Sequence, residues 1–181
     1  MIRKPQAEEN HFHRMKLLPC DPQCFSAKEK IAFVSFAKIH DMFTAETSMR
    51  VRYGETDRMG YSYYGNYAEY YEVGRVEALR ALGWNYKEME DSGILLPVYT
   101  FSVKYFKPAF YDDLLTVKTT IKEMPATRLR FDYEMFNQIG EKLNEGETTL
   151  VFINAQTKRP CGAPAGFVEA LKPYFGNSDI R

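Results

Sequence analysis

Hydrophobic residues along this chain of 181 residues recur first with a helical period and then in alternation with polar ones. From Tyr67 the apolar positions fall three and four residues apart, which places them on one face of an α-helix. They are Tyr67, Tyr70, Tyr71, Gly74, Ala78 and Leu82. Val73 and Val76 widen this face, and Gly83 suits a helix C-terminus. The pattern therefore predicts a largely buried helix that ends near Gly83.

The dipeptide Gly65-Asn66 precedes this helix. Asn is a favoured N-cap residue, and Glu69 follows three positions later, so the sequence predicts a capping box and a helix that begins at about Tyr67. The backbone N–H groups of the first helical turn lack partners within the helix, and together they form a partly positive site. We expect this site at residues 64–68.

A turn lies just upstream of the helix start, because Gly54, Asp57 and Gly60 are residue types that let a chain reverse direction. Asp57 is therefore predicted to lie on a loop, a few residues from the N–H donors of the helix. A carboxylate that faces backbone donors is a possible catalytic geometry. The alternative from spacing alone is a turn aspartate that binds its own backbone.

After a short second helix predicted over Tyr86–Ser92, the period changes to alternation, which is typical of β-strands. Four strands are predicted: Tyr99–Tyr105, Leu115–Ile121, Leu129–Met135 and Thr148–Ala155. The first is half-buried through its odd-numbered residues, and the last is apolar on both faces, as expected for a central strand. A turn at Gly140 joins the last two strands, and a closing helix is predicted over 164–174. This order favours an α+β fold in which an antiparallel sheet curls around one long helix.

Residues 1–46 differ from the rest of the chain, because they mix charges with three prolines and show no sustained period. We predict an N-terminal extension here, either poorly ordered or a mis-assigned start, followed by one domain over 47–181. Its one apolar run, Ile31–Ala37, is too short to span a bilayer and makes a poor signal-peptide core. A cytoplasmic location is therefore expected.

Composition narrows the possible chemistry. Lys plus Arg and Asp plus Glu balance at 24 each, so the overall charge gives no reason to expect nucleic acid or a membrane surface as a partner. The last of the three histidines is His40, which excludes a histidine-dependent nucleophile or metal site within 47–181. In the extension, His11, His13, Cys20 and Cys24 invite a zinc interpretation, but their spacing fits no standard finger. No metal is predicted.

The stretch 52–84 resembles the signature of the 4-hydroxybenzoyl-CoA thioesterase family. Members of this family are acyl-CoA thioesterases with the hotdog fold. The matching residues are Tyr53, Thr56, Asp57, Gly60, Tyr63, Tyr64, Asn66, Tyr67, Glu72, Arg75 and Gly83. The resemblance implies hydrolysis of acyl-CoA thioesters by a homodimer or homotetramer without a cofactor. It also implies that Asp57 is the catalytic carboxylate and that the backbone N–H of Tyr64 polarises the thioester carbonyl. One branch of the family carries His at the position of Tyr64, which leaves the backbone role intact here.

Glu72 is a second catalytic candidate, since some hotdog thioesterases use a carboxylate on the helix. Its alternative is a structural ion pair with Arg75 at i+3, whereas Glu55 is expected to be solvated. Tyr63, Asn66 and Tyr67 are candidate substrate-binding residues, and the tyrosines equally suit a core or a dimer interface.

Coenzyme A carries phosphates, so its binding requires local positive charge. Arg128, Lys158 and Arg159 are the candidates by position, although basic residues at strand ends are more often simply exposed. Two alternative functions remain open from the sequence: hydrolysis of acyl-ACP on the same fold, and binding of acyl-CoA without turnover. Hydroxyacyl dehydration is disfavoured because that activity characteristically uses a histidine.

Overall fold

The computed structural model describes residues 42–176. The β-strands of this part of the chain are β1 (Phe43–Arg50), β2 (Ile94–Leu95), β3 (Val98–Tyr105), β4 (Leu114–Ile121), β5 (Arg128–Phe136), β6 (Lys142–Val151) and β7 (Ile153–Asn154). The α-helices are α1 (Asn66–Ala81), α2 (Tyr86–Asp91) and α3 (Ala165–Leu171), and short 3₁₀ turns occupy Tyr53–Glu55 and Lys172–Tyr174.

Five strands form one antiparallel sheet in the order β1-β4-β5-β6-β3, and β2 pairs with β7 separately. The inner face of the large sheet packs on α1, with Gly74 of the helix lying against the side chains of Val117 and Thr119. Farther along the sheet, Tyr71 lies against Gly146 of β6. Apolar side chains alternate inward along β5, as its sequence predicts, so the core lies between sheet and helix. The predicted α+β architecture is confirmed.

The helix α1 begins one residue before the predicted start, but its cap differs. The N-cap is Gly65 and it makes no side-chain hydrogen bond, so the predicted capping box is wrong. Asn66 Nδ2 instead donates to the carbonyl oxygen of Glu55 at 2.6 Å. The amide is thus committed to the upstream loop and cannot cap the helix.

The far end of the helix agrees with prediction, since Gly83 has φ +78° and its N–H donates to the Arg80 carbonyl at 2.9 Å. Val73, which was predicted to widen the buried face, is exposed instead. The short second helix and its end at Gly93 (φ +90°) are also confirmed.

The strands occur where alternation predicts them, with two differences. The strand β6 begins six residues before the predicted Thr148 and ends at Val151, after the turn that contains Gly140 (φ +78°). The odd-numbered residues of β3 were predicted to be buried. This prediction is wrong for Tyr99, Phe101 and Tyr105, which are exposed. The reason is that β3 lies at an edge of the sheet, where its one partner among the strands of residues 42–176 is β6.

The strand β1 was not predicted as part of the domain. It starts at Phe43, which pairs with Ile121 of β4, so the boundary expected between residues 46 and 47 falls inside this strand. The candidate zinc ligands of the extension lie outside the described residues. Within 42–176, no helix is long and apolar enough to cross a membrane.

Candidate active site

The loop that carries Asp57 folds into a narrow hairpin between the first 3₁₀ turn and α1. An antiparallel bridge joins Thr56 to Ser62 across the hairpin, and the N–H of Asp57 donates to the Tyr61 carbonyl at 3.0 Å. At the tip, Gly60 adopts φ +82°, a conformation that favours glycine. The predicted turn is confirmed, and it holds Asp57 in a defined position.

The Asp57 carboxylate takes part in this turn with only one of its oxygens. Oδ1 accepts the N–H of Met59 at 2.7 Å, which is the local backbone contact of a turn aspartate. Asp57 is partly buried, and its Oδ2 has no hydrogen-bond partner within residues 42–176. The turn contact thus fixes the side chain and leaves one carboxylate oxygen available for chemistry.

The start of α1 faces the same space. The carbonyl oxygen of Tyr64 accepts a hydrogen bond from the Tyr105 hydroxyl at 3.1 Å, whereas the Tyr64 N–H has no partner among the described residues. The Tyr64 ring is exposed and packs on the ring of Tyr63 at a centroid distance of 4.5 Å. A free N–H at a helix N-terminus is a ready donor to an anionic oxygen.

A cavity of about 410 Å³ brings these groups together. Its lining residues are Asp57, Met59, Tyr61, Ser62, Tyr64, Tyr67, Tyr105, Phe106, Lys107 and Pro108. Most of this wall is aromatic or aliphatic, and Asp57 and Lys107 supply the charged groups. An apolar cavity with few polar groups at one side is typical of a small-molecule site.

Comparison with known proteins identifies the family of the chain. Residues 51–171 match the model of the thioesterase-like superfamily. The chain belongs to that superfamily. The acyl-CoA thioester hydrolase YbgC of Escherichia coli is 31% identical over 124 residues, which is 68% of this chain and 92% of YbgC.

Solved structures agree with the family match. The DHNA-CoA thioesterase of Staphylococcus aureus is 36% identical, with a TM-score of 0.69 over 72% of this chain and 89% of that one. A complex of 4-hydroxybenzoyl-CoA thioesterase with 4-hydroxybenzoyl-CoA has a TM-score of 0.64 at 20% identity and covers 70% of this chain and 97% of that one. The predicted hotdog fold and the predicted class of enzyme, a thioesterase, are confirmed.

In this thioesterase the loop residue Glu55 is not solvated, contrary to expectation. Its side chain is 11% exposed, and Oε2 accepts both the N–H of Arg52 at 2.7 Å and the Tyr70 hydroxyl at 2.8 Å. The Tyr70 hydroxyl also contacts the buried Ser62 Oγ at 3.1 Å. This network ties the Asp57 hairpin to α1. Neither Glu55 nor Ser62 carried a sequence signal that predicted burial.

Tyr67 connects the helix start with the end of β3. Its ring is buried and packs edge-on against the rings of Tyr70 and Tyr105 at centroid distances of 5.6 and 5.1 Å. Burial raises the pKa of Tyr67 to about 12, although a hydrogen bond with the backbone at Ala109 acts in the opposite direction. Tyr67 is therefore a neutral wall of the cavity at ordinary pH.

Glu72 does not line the cavity of Asp57 within one chain. It lies one and a half turns into α1, with its side chain 63% exposed, and it pairs with Arg75 Nη2 at 3.1 Å. The predicted structural contact at i+3 is thus present. Glu72 and Arg75 instead line a second cavity of about 270 Å³ beside β3.

The three predicted phosphate-binding cations lie at the other end of β3 from Asp57. Arg128 stacks on the ring of Tyr99 at 4.8 Å and lines a cleft of about 370 Å³ with Pro160. Lys158 and Arg159 lie immediately before Pro160 in an exposed turn, where Lys158 has φ +55°. These cations therefore lie apart from the loop that carries Asp57.

Sequence reasoning missed the segment that follows β3. Phe106, Lys107 and Pro108 complete the wall of the Asp57 cavity, and the amine of Lys107 pairs with Glu141. The interruption of strand alternation by Pro108 was visible in the sequence. What the sequence did not show is that this interruption turns the chain back toward the hairpin, where Ser62 N–H donates to the Ala109 carbonyl at 2.8 Å.

Proposed function

We propose that this thioesterase hydrolyses acyl-CoA thioesters, with Asp57 as the catalytic carboxylate and the Tyr64 N–H as the donor to the thioester oxygen. One observation carries the proposal: the free carboxylate oxygen and the open helix start belong to residues that line the same apolar cavity. The similarity to acyl-CoA thioester hydrolases at 31% identity supports the choice of carrier.

The chemistry needs only these groups and water. Asp57 either attacks the thioester carbonyl carbon and forms an anhydride, or takes a proton from a water that attacks instead. In both cases negative charge develops on the carbonyl oxygen, where the helix N–H stabilises it. The carbon–sulfur bond then breaks, the CoA thiolate leaves and is protonated, and water supplies the second oxygen of the free acid.

We assign Arg128, Lys158 and Arg159 to the phosphates of CoA, as the sequence suggested. All three are exposed, and the guanidinium and ammonium groups suit phosphate oxygens. The pairing of Arg128 with the Tyr99 ring holds one cation beside the cleft that also contains Pro160. Tyr63 and Tyr67 would contact the acyl and pantetheine portions near the catalytic loop, and Asn66 positions that loop through Glu55.

The enzyme is proposed to act as a homodimer joined through β3, with a tetramer as a higher assembly. The outer edge of β3 pairs with no other strand of residues 42–176 and exposes Val98, Tyr99, Phe101 and Tyr105. An apolar edge strand of this kind is a template for pairing with another chain. Antiparallel pairing of two such edges lays the Tyr105 end of one strand beside the Val98 end of the other. The catalytic cavity of one protomer then adjoins the cations of its partner.

The test is a comparison of the wild type with Asp57→Asn on aromatic and straight-chain acyl-CoAs, with release of free thiol as the signal. Loss of the carboxylate is expected to lower kcat by about 100-fold or more, with equilibrium binding of the thioester retained. The matched control is Asp91→Asn, which removes an exposed carboxylate on α2 and should leave kcat unchanged.

Other outcomes point to other functions. A fully active Asp57→Asn protein rejects the assignment of the carboxylate and makes Glu72 the next residue to replace. A protein that binds acyl-CoA without hydrolysing it is a binding protein. If the protein hydrolyses acyl-ACP but not acyl-CoA, the natural carrier is ACP, and the proposed mechanism still applies.

A further inference from the structure

The chain enters α1 through a four-residue turn whose backbone is held at two points. The turn runs from Tyr63 to Asn66, and the N–H of Asn66 closes it by donating to the Tyr63 carbonyl at 3.0 Å. At its centre, the carbonyl oxygen of Tyr64 accepts a hydrogen bond from the Tyr105 hydroxyl at 3.1 Å. The first contact is local to the turn, whereas the second comes from the end of β3.

These two contacts fix the backbone on both sides of the Tyr64 Cα atom. Each peptide unit is planar and trans, so a hydrogen bond to its carbonyl oxygen also sets the direction of its N–H. The Asn66 contact orients the unit that carries the Tyr64 N–H. The Tyr105 contact orients the next unit, between Tyr64 and Gly65. The conformation of Tyr64 therefore depends on both contacts.

The central peptide unit of this turn has little resistance of its own to rotation. Gly65 has φ −65° and ψ −27°, but glycine also adopts the positive φ that a type II turn requires at this position. A Cβ at Gly65 would lie 2.7 Å from Tyr63 Cε1, so the packing of the Tyr63 ring calls for glycine here. The hydrogen bond from Tyr105 opposes a rotation that this glycine permits.

The Tyr105 side chain is itself well fixed. Its ring packs edge-on against the buried ring of Tyr67 at a centroid distance of 5.1 Å, and its backbone pairs with Asn144 of β6. Partial burial raises the pKa of Tyr105 above its usual value, so at neutral pH the hydroxyl keeps the proton that it donates. A donor fixed in this way can hold the Tyr64 carbonyl in one direction.

We propose that Tyr105 is a positioning residue whose hydroxyl holds the start of α1 in the conformation that directs the Tyr64 N–H at the thioester oxygen. The proposal rests on the proposed function and adds to it a residue at the end of β3. Because Tyr105 acts through Tyr64, it affects the stabilisation of charge on the thioester oxygen more than the binding of the substrate. A donor aligned in advance needs no reorganisation when that charge develops.

The variant Tyr105→Phe tests this role, since it removes the hydroxyl and keeps the ring that packs on Tyr67. Small displacements of catalytic groups are costly, so we expect kcat on benzoyl-CoA and octanoyl-CoA to fall about 10-fold or more, with KM changed by less than about threefold. The matched control is Tyr111→Phe. The Tyr111 side chain is exposed and its hydroxyl has no hydrogen bond within residues 42–176, so kcat should stay unchanged. A Tyr105→Phe protein with normal kcat, or with a change in KM alone, overturns the proposal.

Backbone motion distinguishes positioning from direct contact of the hydroxyl with the substrate. In ligand-free Tyr105→Phe protein, we expect new motion at Tyr64 and Gly65, seen by NMR as lower amide order parameters or as exchange broadening. The amide of Ala78, in the buried part of α1, should be unaffected. A lower kcat without new motion at Tyr64 and Gly65 would assign the hydroxyl to the substrate itself and reject the positioning role.

The carbonyl stretch of a bound thioester separates this proposal from the proposed function, because its measurement needs no turnover. A donor directed at the carbonyl oxygen lowers the infrared stretching frequency of benzoyl-CoA bound to Asp57→Asn. In Asp57→Asn/Tyr105→Phe the frequency should move back toward that of the free thioester, and this shift supports the role of Tyr105 even if the wild type hydrolyses no thioester. Normal hydrolysis by Tyr105→Phe with no shift retains the function and rejects the role of Tyr105, whereas a protein that binds no thioester contradicts both.

Discussion

Glu55 shows how a single residue can hold the loop that carries Asp57 in place. Its carboxylate accepts from the Arg52 N–H and the Tyr70 hydroxyl, while its carbonyl oxygen accepts from the Tyr63 N–H at 2.9 Å and from Asn66 Nδ2. These contacts join the first 3₁₀ turn to both ends of the hairpin that carries Asp57. Glu55 therefore acts as a positioning residue, although it does not line the cavity.

Replacement of Glu55 tests that role. Glu55→Ala leaves the Arg52 N–H and the Tyr70 hydroxyl without their acceptor, so we expect a loss of about 1–3 kcal/mol in the free energy of unfolding, measured by urea denaturation. Displacement of the hairpin should also lower kcat more than it raises KM. The exposed Glu90→Ala on α2 is the control and should stay within about 0.5 kcal/mol. A Glu55→Ala protein with normal stability and kcat would show that the hairpin keeps its conformation without the contacts of Glu55.

At the scale of elements, the close approach of α1 to the sheet depends on two glycines. A Cβ at Gly74 would lie 2.8 Å from Thr119 Oγ1, and one at Gly146 would lie 2.5 Å from Tyr71 Cε2 and 2.7 Å from the Ser102 carbonyl oxygen. The contact between the Gly146 Cβ and the Ser102 carbonyl oxygen is the most severe, because a backbone atom of β3 cannot rotate away as a side chain can. Gly146 thus allows Tyr71 to reach the sheet, where its ring stacks on that of Tyr133 at a centroid distance of 4.2 Å.

The variant Gly146→Ala is expected to destabilise the fold, since β3 or α1 must move to accept the methyl group. Overpacking of this kind typically costs about 1–3 kcal/mol. Gly162→Ala provides the matched control, because a Cβ there meets nothing within 4 Å and should be neutral or slightly stabilising. Thermal unfolding of the two variants measures the difference, and equal melting temperatures would refute the packing argument.

The same elements show what the sequence could predict. Sequence pattern located both ends of α1 to within two residues, because its buried face depends on local spacing. It could not predict that Tyr99 and Phe101 of β3 are exposed, because strand order, not spacing, decides which strand lies at an edge. Asp57 could be named as a candidate catalytic residue because it lies in a recognisable motif. The burial of Glu55 had no local signal, because it depends on Tyr70, fifteen residues away.

At the scale of the whole molecule, the candidate catalytic and CoA-binding residues lie at opposite ends of β3 within one chain. The Asp57 cavity lies at the Tyr105 end of β3, whereas the second cavity and the candidate phosphate-binding cations lie toward the Val98 end. The apolar edge between these ends is exposed. A two-fold pairing of β3 strands would cover this edge and bring opposite ends together, which is the physical basis of the proposed dimer.

Disruption of the β3 edge tests the dimer directly. Phe101 is 43% exposed on this edge, and Phe101→Lys would place a charge in the proposed interface, so we expect sedimentation velocity to show a monomer. Ile139→Lys is the control, since Ile139 is 79% exposed on the β5–β6 turn and should leave the assembly unchanged. Hydrolysis of octanoyl-CoA should fall with the loss of the dimer because the CoA phosphates lose the cations of the second protomer. A Phe101→Lys protein that remains dimeric places the interface elsewhere, and a fully active monomer shows that one chain holds the complete site.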